Sequence, residues 1–390
     1  MLKFIFSVFL IVLSIDGVLS QVSIRLISCD DSLSVSYAHI QNISRDQISI
    51  SNEEGDFSFN YANPEDKIKI SHIAFHDTVV YVSELLNIEK LCLTRKIEIL
   101  DEAVVSVNEN DDFLINAVKK TQEKLVIPIR LSVYFKEFIK NNDSYIRFSD
   151  ADLTYYLYKG KKGKLDVDLG VSQSRAYRIP SNTEDEIDFE IISPIDDKKL
   201  IGYFYPSEIG RFLEEETRSR YEYELVDYSD NFIIICSPKN DKPGVFKGKV
   251  VVRKSDSTIS AISFLIPEER IHLTKESNAM VAKVRIISNE GYVKYSYRSN
   301  GDLYLSHARL SYTVQIRNKK IDEKLTFIND INVYDIPTDQ ERISKSDVYK
   351  KKSIYKRGID YDSDYWSNKS LIQLTELEKD IIQKISENNE

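Results

Sequence analysis

The chain has 390 residues, 42% of them hydrophobic, with 24 Tyr and 17 Phe but only 12 Gly and 9 Pro. This composition supplies real cores, favours strands over helices, and argues against collagen-like or long disordered segments. The formal net charge is −9, spread along the chain, which disfavours nucleic acid as a partner.

The first element is a leader. Lys3 gives a positive start, Phe4 to Leu13 is apolar apart from Ser7, and Val18 and Ser20 are small enough for the −3 and −1 positions of a signal peptidase. The apolar run is near ten residues, whereas a membrane-spanning helix needs about twenty. The pattern predicts a cleaved signal peptide over residues 1–20, with Gln21 as the new N-terminus, rather than an uncleaved anchor. No cysteine follows the leader, so lipobox attachment is not supported, and no later segment is apolar enough to span a bilayer as a helix. The expected product is exported, periplasmic or outer-membrane associated. Its length of about 370 residues suits two domains.

Residues 21–105 read as short strands. Phe57, Phe59 and Tyr61 alternate with Ser58 and Asn60, the period of a half-buried strand. Asn52 to Gly55 forms the turn before it, with Gly55 able to take a positive φ. Ile68 and Ile70 share one parity and Ile73 and Phe75 the other, so a bulge is expected near Ser71-His72. Thr78 to Val82 and Ile88 to Leu93 add strands. Six or seven strands in this length suggest a β-sandwich. Cys29 and Cys92 could pair if the first and last strands lie side by side; the preferred reading is that these and Cys236 are buried or idle thiols.

Three motifs occur in order: Glu54-Gly55-Asp56-Phe57-Ser58, Ile70-Ser71-His72-Ile73-Ala74-Phe75 and Leu100-Asp101-Glu102-Ala103-Val104-Val105. Together they resemble the carboxypeptidase regulatory-like domain, a transthyretin-like sandwich found at the N-terminus of Bacteroidota envelope proteins. Ala74 stands where that family usually has Gly. The resemblance implies a non-catalytic appendage module.

Residues 106–370 read as a larger, curved antiparallel sheet with few helices. Asp111 and Asp112 can cap a helix that buries Phe113, Leu114, Ala117 and Val118. Strand-like runs follow at Ile127 to Phe135, Ser144 to Phe148, Ala151 to Tyr158, Lys164 to Leu169, Asn231 to Ser237, Gly248 to Arg253 and Ile259 to Leu265. Further runs are Ala282 to Ile287, Gly291 to Arg298, Leu303 to Arg317 and Leu325 to Val333. Turn signals at Lys161-Lys162-Gly163 and Ser299-Asn300-Gly301-Asp302 separate neighbours. Phe246 to Val252 with Ser257 to Ile262, Tyr134 to Glu137, and Tyr361 to Trp366 resemble segments of the same envelope proteins. The hairpin style also resembles the half-barrels of lipoprotein-sorting proteins, a fold-level analogy. In residues 371–390, Thr375 and Glu378 fit a capping box and Leu377, Ile381, Ile382 and Ile385 an apolar stripe, the pattern of an amphipathic helix packed on the sheet.

Chemistry is sparse. His72 and His76 form the only close histidine pair; on one strand they would stand about 13 Å apart, too far to share a metal ion. Surface or edge histidines are the expectation, and no zinc-peptidase ligand set is visible. Gly170-Val171-Ser172-Gln173-Ser174 lacks the second glycine of a nucleophile elbow, and Cys236 reads as a buried strand cysteine. The pairs Asp150/Asp152, Asp166/Asp168 and Asp185/Asp188 are ascribed to chance in a chain with 62 acidic residues. No cofactor or metal is expected. Two clusters offer contacts: the basic residues Lys345, Lys350, Lys351, Lys352, Lys356 and Arg357, for phosphorylated sugars or lipid headgroups if not a solvated loop, and Tyr156 and Tyr158, for a carbohydrate or lipid groove if not core. Asn42, Asn142 and Asn368 lie in N-x-S sequons.

The resulting expectation is a mainly β, non-enzymatic exported protein acting as an envelope interaction or scaffold module with a protein partner. The alternative is a carrier of an apolar or lipid ligand in the concave face of the C-terminal sheet, and a hydrolase ranks last. An enclosed apolar cavity of several hundred Å³ favours the carrier; a filled sheet face with an exposed apolar patch favours the scaffold.

Overall fold

A computed structural model describes residues 20–44, 47–61, 63–72, 75–95, 110–178, 195–205, 218–228, 230–240, 242–279, 282–298, 300–358, 360, 365 and 373–387. The leader before Ser20, the motif at Leu100 to Val105, Asp185 and Asp188, Asn368, and most of Tyr361 to Trp366 lie outside them. The protein is mainly β and divides into two compact units, Met1–Lys96 with Tyr365–Thr375, and Ile97–Asp364 with Glu376–Glu390.

In the first unit, β1 (Ser20–Ser28), β4 (Asp56–Tyr61) and β7 (Lys90–Leu93) form one sheet in the order β4-β1-β7. A second sheet, in the order β3-β2-β5-β6, contains β2 (His39–Asn42), β3 (Gln47–Ile50), β5 (Lys67–His72) and β6 (Phe75–Tyr81). Val22, Ile24 and Leu26, alternating along β1, pack with Phe57, Phe59, Ile40, Ile68 and Ile70 in a single core. Burial of that period-2 stripe from both sheets is what holds them together. Gly55 takes φ +81°, and a Cβ there would meet the Leu26 carbonyl oxygen at 2.3 Å, so the turn before β4 requires glycine.

Three expectations are corrected in this unit. The run from Ile68 to Phe75 is two strands, β5 and β6; the irregularity expected near Ser71 falls between Ile70 and His72 in their pairing. His72 and His76 therefore sit on neighbouring antiparallel strands, not along one. Cys29 and Cys92 are disulfide-bonded, with Cα atoms 4.9 Å apart. The reason is topological: β1 and β7 run parallel with Ile27 opposite Cys92, which brings Cys29 to its neighbour's side.

The second unit is an 11-stranded antiparallel sheet with few helices. Its strands are β8 (Ile129–Asn141), β9 (Ser144–Lys159), β10 (Leu165–Arg178), β11 (Tyr221–Tyr228), β12 (Asn231–Pro238), β13 (Lys247–Arg253), β14 (Ile259–Leu265), β15 (Ser277–Ala279), β16 (Ala282–Tyr297), β17 (Leu303–Arg317) and β18 (Asp322–Asp335). The order is β10-β9-β8-β18-β17-β16-β14-β13-β12-β11, with β15 paired to β16. Two pairs of expected strands merge: β9 runs unbroken through Ser149 and Asp150, and β16 through Ser288 to Glu290 with a bulge between Ile286 and Ser288.

One face of this sheet is apolar. Val133, Phe135, Leu153, Tyr155, Leu310, Val314, Phe327 and Ile331 are buried on it. The helix α1 (Asn110–Lys124) covers its β11–β14 end, with Leu114 and Ala117 buried and Phe113 edge-on to Phe232. Asp111 and Asp112 lie in its first turn instead of capping it. The short helix α2 (Asp197–Leu200) and the 3-10 turn after it bury Leu200, Ile201 and Phe204, and the Tyr155 hydroxyl donates to the Asp197 carbonyl at 2.7 Å. Cys236 is buried in β12, where desolvation pushes its thiol pKa up.

Beyond β18 the chain folds back along the edge strand β10. Tyr349 N–H donates to the Leu169 carbonyl at 2.7 Å, and Ser174 and Asp360 exchange backbone hydrogen bonds of 3.0 and 2.9 Å. An edge that would otherwise template further strands is thereby covered. The helix α3 (Glu376–Glu387) packs near β9 and β10. Leu377, expected in its apolar stripe, is 58% exposed, and Glu378 is the buried residue of that turn because it has a cation to meet in the sheet. The side chains of Ile381, Ile382 and Ile385 lie outside the described residues.

Candidate functional site

Cross-strand partners in an antiparallel sheet project on the same side. From β10 inward the register sets Arg175 opposite Asp150, Asp150 opposite Lys136, Lys136 opposite Asp330, and Asp330 opposite Arg309. The same row continues through Tyr292, Ser263, Lys249 and Ile235 to Glu224 on β11. One line of side chains thus crosses ten strands on the face opposite the apolar core. Its first half is a chain of alternating charges, and its second half is a cleft.

The charged half is buried. Asp150 is fully enclosed and accepts from Arg175 Nε at 2.8 Å and from the Tyr134 hydroxyl at 2.8 Å. Asp152, the next residue on that face, accepts from the Tyr334 hydroxyl at 2.7 Å. Asp330 lies 3.8 Å from Lys136 Nζ, 3.6 Å from Arg309 and 3.8 Å from His307 Nε2. Lys136 also forms a close buried ion pair with Glu378 of α3. Burial alone would raise the Asp330 pKa, but Arg309, His307 and Lys136 outweigh it and hold the carboxyl at about 2. Desolvation lowers the His307 pKa against the pull of Asp330, so the imidazole is neutral at pH 7.

The cleft crosses β12, β13, β14, β16 and β17 and has a volume of about 460 Å³. Ile235, Leu265 and the Tyr292 ring supply its apolar surface, and the backbone at Gly248 and Gly291 forms part of its floor. A Cβ on Gly291 would fall 2.3 Å from the Phe264 ring, so that glycine lets the phenyl group lie flat across β16. Lys247, Lys249 and Arg309 line the cleft against a single carboxylate, Glu290. The local balance is cationic in a chain that is acidic overall. A second cavity, of about 730 Å³, lies between the end of α1 and the Gly301-Asp302 turn; Lys119, Lys124 and Lys159 give it a polar wall.

The residues singled out from the sequence lie elsewhere. Tyr156 and Tyr158 are on the charged face but toward the far end of β9. Tyr156 is buried, and the Tyr158 hydroxyl donates to Asp166 at 3.0 Å and accepts from Arg342 at 2.7 Å. The Arg342 guanidinium also stacks 4.1 Å from the Tyr158 ring centroid. Lys350, Lys351 and Lys352 are exposed on the segment that covers β10; Lys351 donates to the Lys356 carbonyl at 3.0 Å. Neither group borders the cleft. Asn42 is buried and donates to Asp66 at 3.1 Å. Among the described residues no three His, Cys, Asp or Glu side chains are grouped to hold a metal ion.

No protein-family profile and no curated protein matches the chain. Solved structures similar to it include a domain assigned to outer membrane lipoprotein sorting from Vibrio parahaemolyticus, at 12% identity over 61% of this chain and 97% of that one, TM-score 0.25. Others are the MucA/MucB complex of Pseudomonas aeruginosa (11% identity, 58% and 94%, TM-score 0.20) and a LolA superfamily protein from Nitrosomonas europaea (10%, 57% and 94%, TM-score 0.19). These are distant likenesses.

Proposed function

We propose that this is a non-enzymatic, exported binding protein that carries an apolar or amphiphilic ligand in the cleft across β12–β17. The observation that carries the reading is the cleft itself. Its volume of about 460 Å³ falls within the roughly 300–1,000 Å³ typical of small-molecule sites, and it joins apolar walls to a few placed polar groups. Export is supported by the leader pattern and by the Cys29–Cys92 disulfide, a bond that persists in oxidising compartments such as the periplasm.

The test is binding of a fluorescent alkyl probe to the full chain, with Leu265→Glu and Ile235→Glu as variants. Leu265 is 44% exposed, so a charge there leaves the fold intact while spoiling an apolar wall. Saturable binding that both variants weaken supports the reading. Absence of binding by any alkyl amphiphile refutes it.

A scaffold role is the second reading, favoured by one observation. Val79 and Tyr81 are exposed on β6, at the edge of the second sheet of the first unit, and Leu86 and Ile88 are exposed just after it. We read that unit as a carboxypeptidase regulatory-like sandwich that docks an envelope protein through this edge.

A further inference from the structure

The lysines of the cleft are placed where ordinary surface lysines are not needed. Lys247 and Lys249 are two residues apart on β13, so both project from the same face with a separation of roughly 7 Å. Strand lysines commonly guard sheet edges, but β13 is paired on both sides, to β12 and to β14. Two like charges at this spacing repel, and neither lysine forms an ion pair with a described residue. Glu290 shares the cleft but stands two strands away, behind Leu265, at about 10 Å across the sheet. The arrangement is a pair of uncompensated ammonium groups whose alkyl stems border apolar surface. Long cationic side chains take up that arrangement where an apolar body meets a charged end.

We infer that the cleft takes a single-chain amphiphile with a carboxylate head, the head between Lys247 and Lys249, the chain over Leu265 and the Tyr292 ring, and Ile235 closing the other side of the head. This deepens the carrier reading and rests on it. From the head on β13 to β17 is three strand spacings, roughly 14 Å, about the length of an extended dodecyl chain. Arg309 is the third cation of the cleft, but it already faces Asp330 at 3.6 Å, so it adds less to an incoming anion than the two lysines do.

The experiment is calorimetric titration of the full chain with dodecanoate, 1-dodecanol and dodecyltrimethylammonium, all at monomeric concentrations and low salt. Two exposed charge contacts at up to about 0.7 kcal/mol each give dodecanoate an advantage of about tenfold over dodecanol. That advantage should shrink severalfold in 0.5 M salt, where the screening length is near 4 Å, and vanish in the K247M/K249M double variant. Methionine keeps the apolar stem and removes only the charge, and both positions are exposed, so folding is spared. Equal affinity for dodecanoate and dodecanol overturns the headgroup assignment while the carrier reading stands. A dodecanoate preference that survives in K247M/K249M overturns it as well. Failure of all three amphiphiles to bind removes the carrier reading beneath it.

Discussion

Lys136→Met is the sharpest test of the charged row. Lys136 is 6% exposed and serves two carboxylates, Asp330 at 3.8 Å and Glu378 of α3. Asp330 keeps Arg309 and His307 as partners in the variant, so it is not orphaned. Glu378 is 8% exposed and loses the cation that offsets its desolvation. Breaking a buried pair in this way costs about 3–5 kcal/mol, against 0–1 kcal/mol for an exposed pair. Because the chain has two units, a single melting temperature is a poor measure. Native-state hydrogen exchange of peptides from β8, β18 and α3 reads the loss where it occurs. The acid limb should move too. The Asp330 carboxyl titrates at about 2 and an unfolded Asp near 3.9. Its contribution, roughly 2–3 kcal/mol, is present above pH 4 and lost as pH falls toward 2. In K136M its pKa rises toward the unfolded value, so that contribution shrinks and is used up at a higher pH. Replacing both partners, K136M with E378M, should recover most of the deficit, since two packed apolar side chains need no compensation. A K136M loss below about 1 kcal/mol, or a double variant no better than the single, would refute the claim that the pair is buried and coupled.

Three further expectations follow from other parts of the molecule. Desolvation lowers the pKa of buried His307, so unfolding takes up a proton once pH drops below about 6.5 and stability falls as pH drops further; His307→Asn should flatten that slope in a denaturant series, and an unchanged slope would place the ring in water. The Cys29–Cys92 bond closes a loop of 63 residues, and reduction should cost the first unit about 4 kcal/mol by chain entropy, while an intact mass showing two free thiols in the oxidised protein would contradict the bond itself. Gly291→Ala should cost about 1–3 kcal/mol, because its methyl group meets the Phe264 ring at 2.3 Å, and F264A should relieve most of that cost in thermal unfolding of the double variant.

Strand positions were readable where alternation and turn chemistry agreed. β14 and β17 have the bounds expected from sequence, Ile259–Leu265 and Leu303–Arg317. β9 read as two strands because Ser149 and Asp150 interrupt its apolar run. Both are buried, and Asp150 is tolerated only because Arg175 and Tyr134 reach it from neighbouring strands. Nothing local to residue 150 announces a partner 25 residues away. β11 (Tyr221–Tyr228) lies outside the strands expected from the sequence, although Tyr221-Glu222-Tyr223-Glu224 alternates with the period of a strand. The cleft was illegible for a similar reason. Lys247 and Lys249 are visible as a same-face pair, but their meeting with Ile235, Leu265 and Tyr292 depends on the registers of three strand pairings. The disulfide was equally hidden, because pairing Cys29 with Cys92 requires knowing that β1 and β7 are parallel neighbours.

The row of charges is costly, and its position gives a reason for keeping it. A sheet face this well covered would be more stable with apolar residues at Asp150, Lys136 and Asp330. What the charges add is connection. Arg309 belongs both to the cleft and to Asp330, Asp330 to Lys136, and Lys136 to Glu378 of α3. The carboxylate head assigned to the cleft sits on β13, three strand spacings or roughly 14 Å from Arg309 on β17. Dodecanoate therefore leaves the Arg309–Asp330 pair, and with it Lys136 and α3, unperturbed. Exchange at α3 amides should be the same with and without dodecanoate, and a change on binding would mean that the head reaches Arg309 instead of the two lysines.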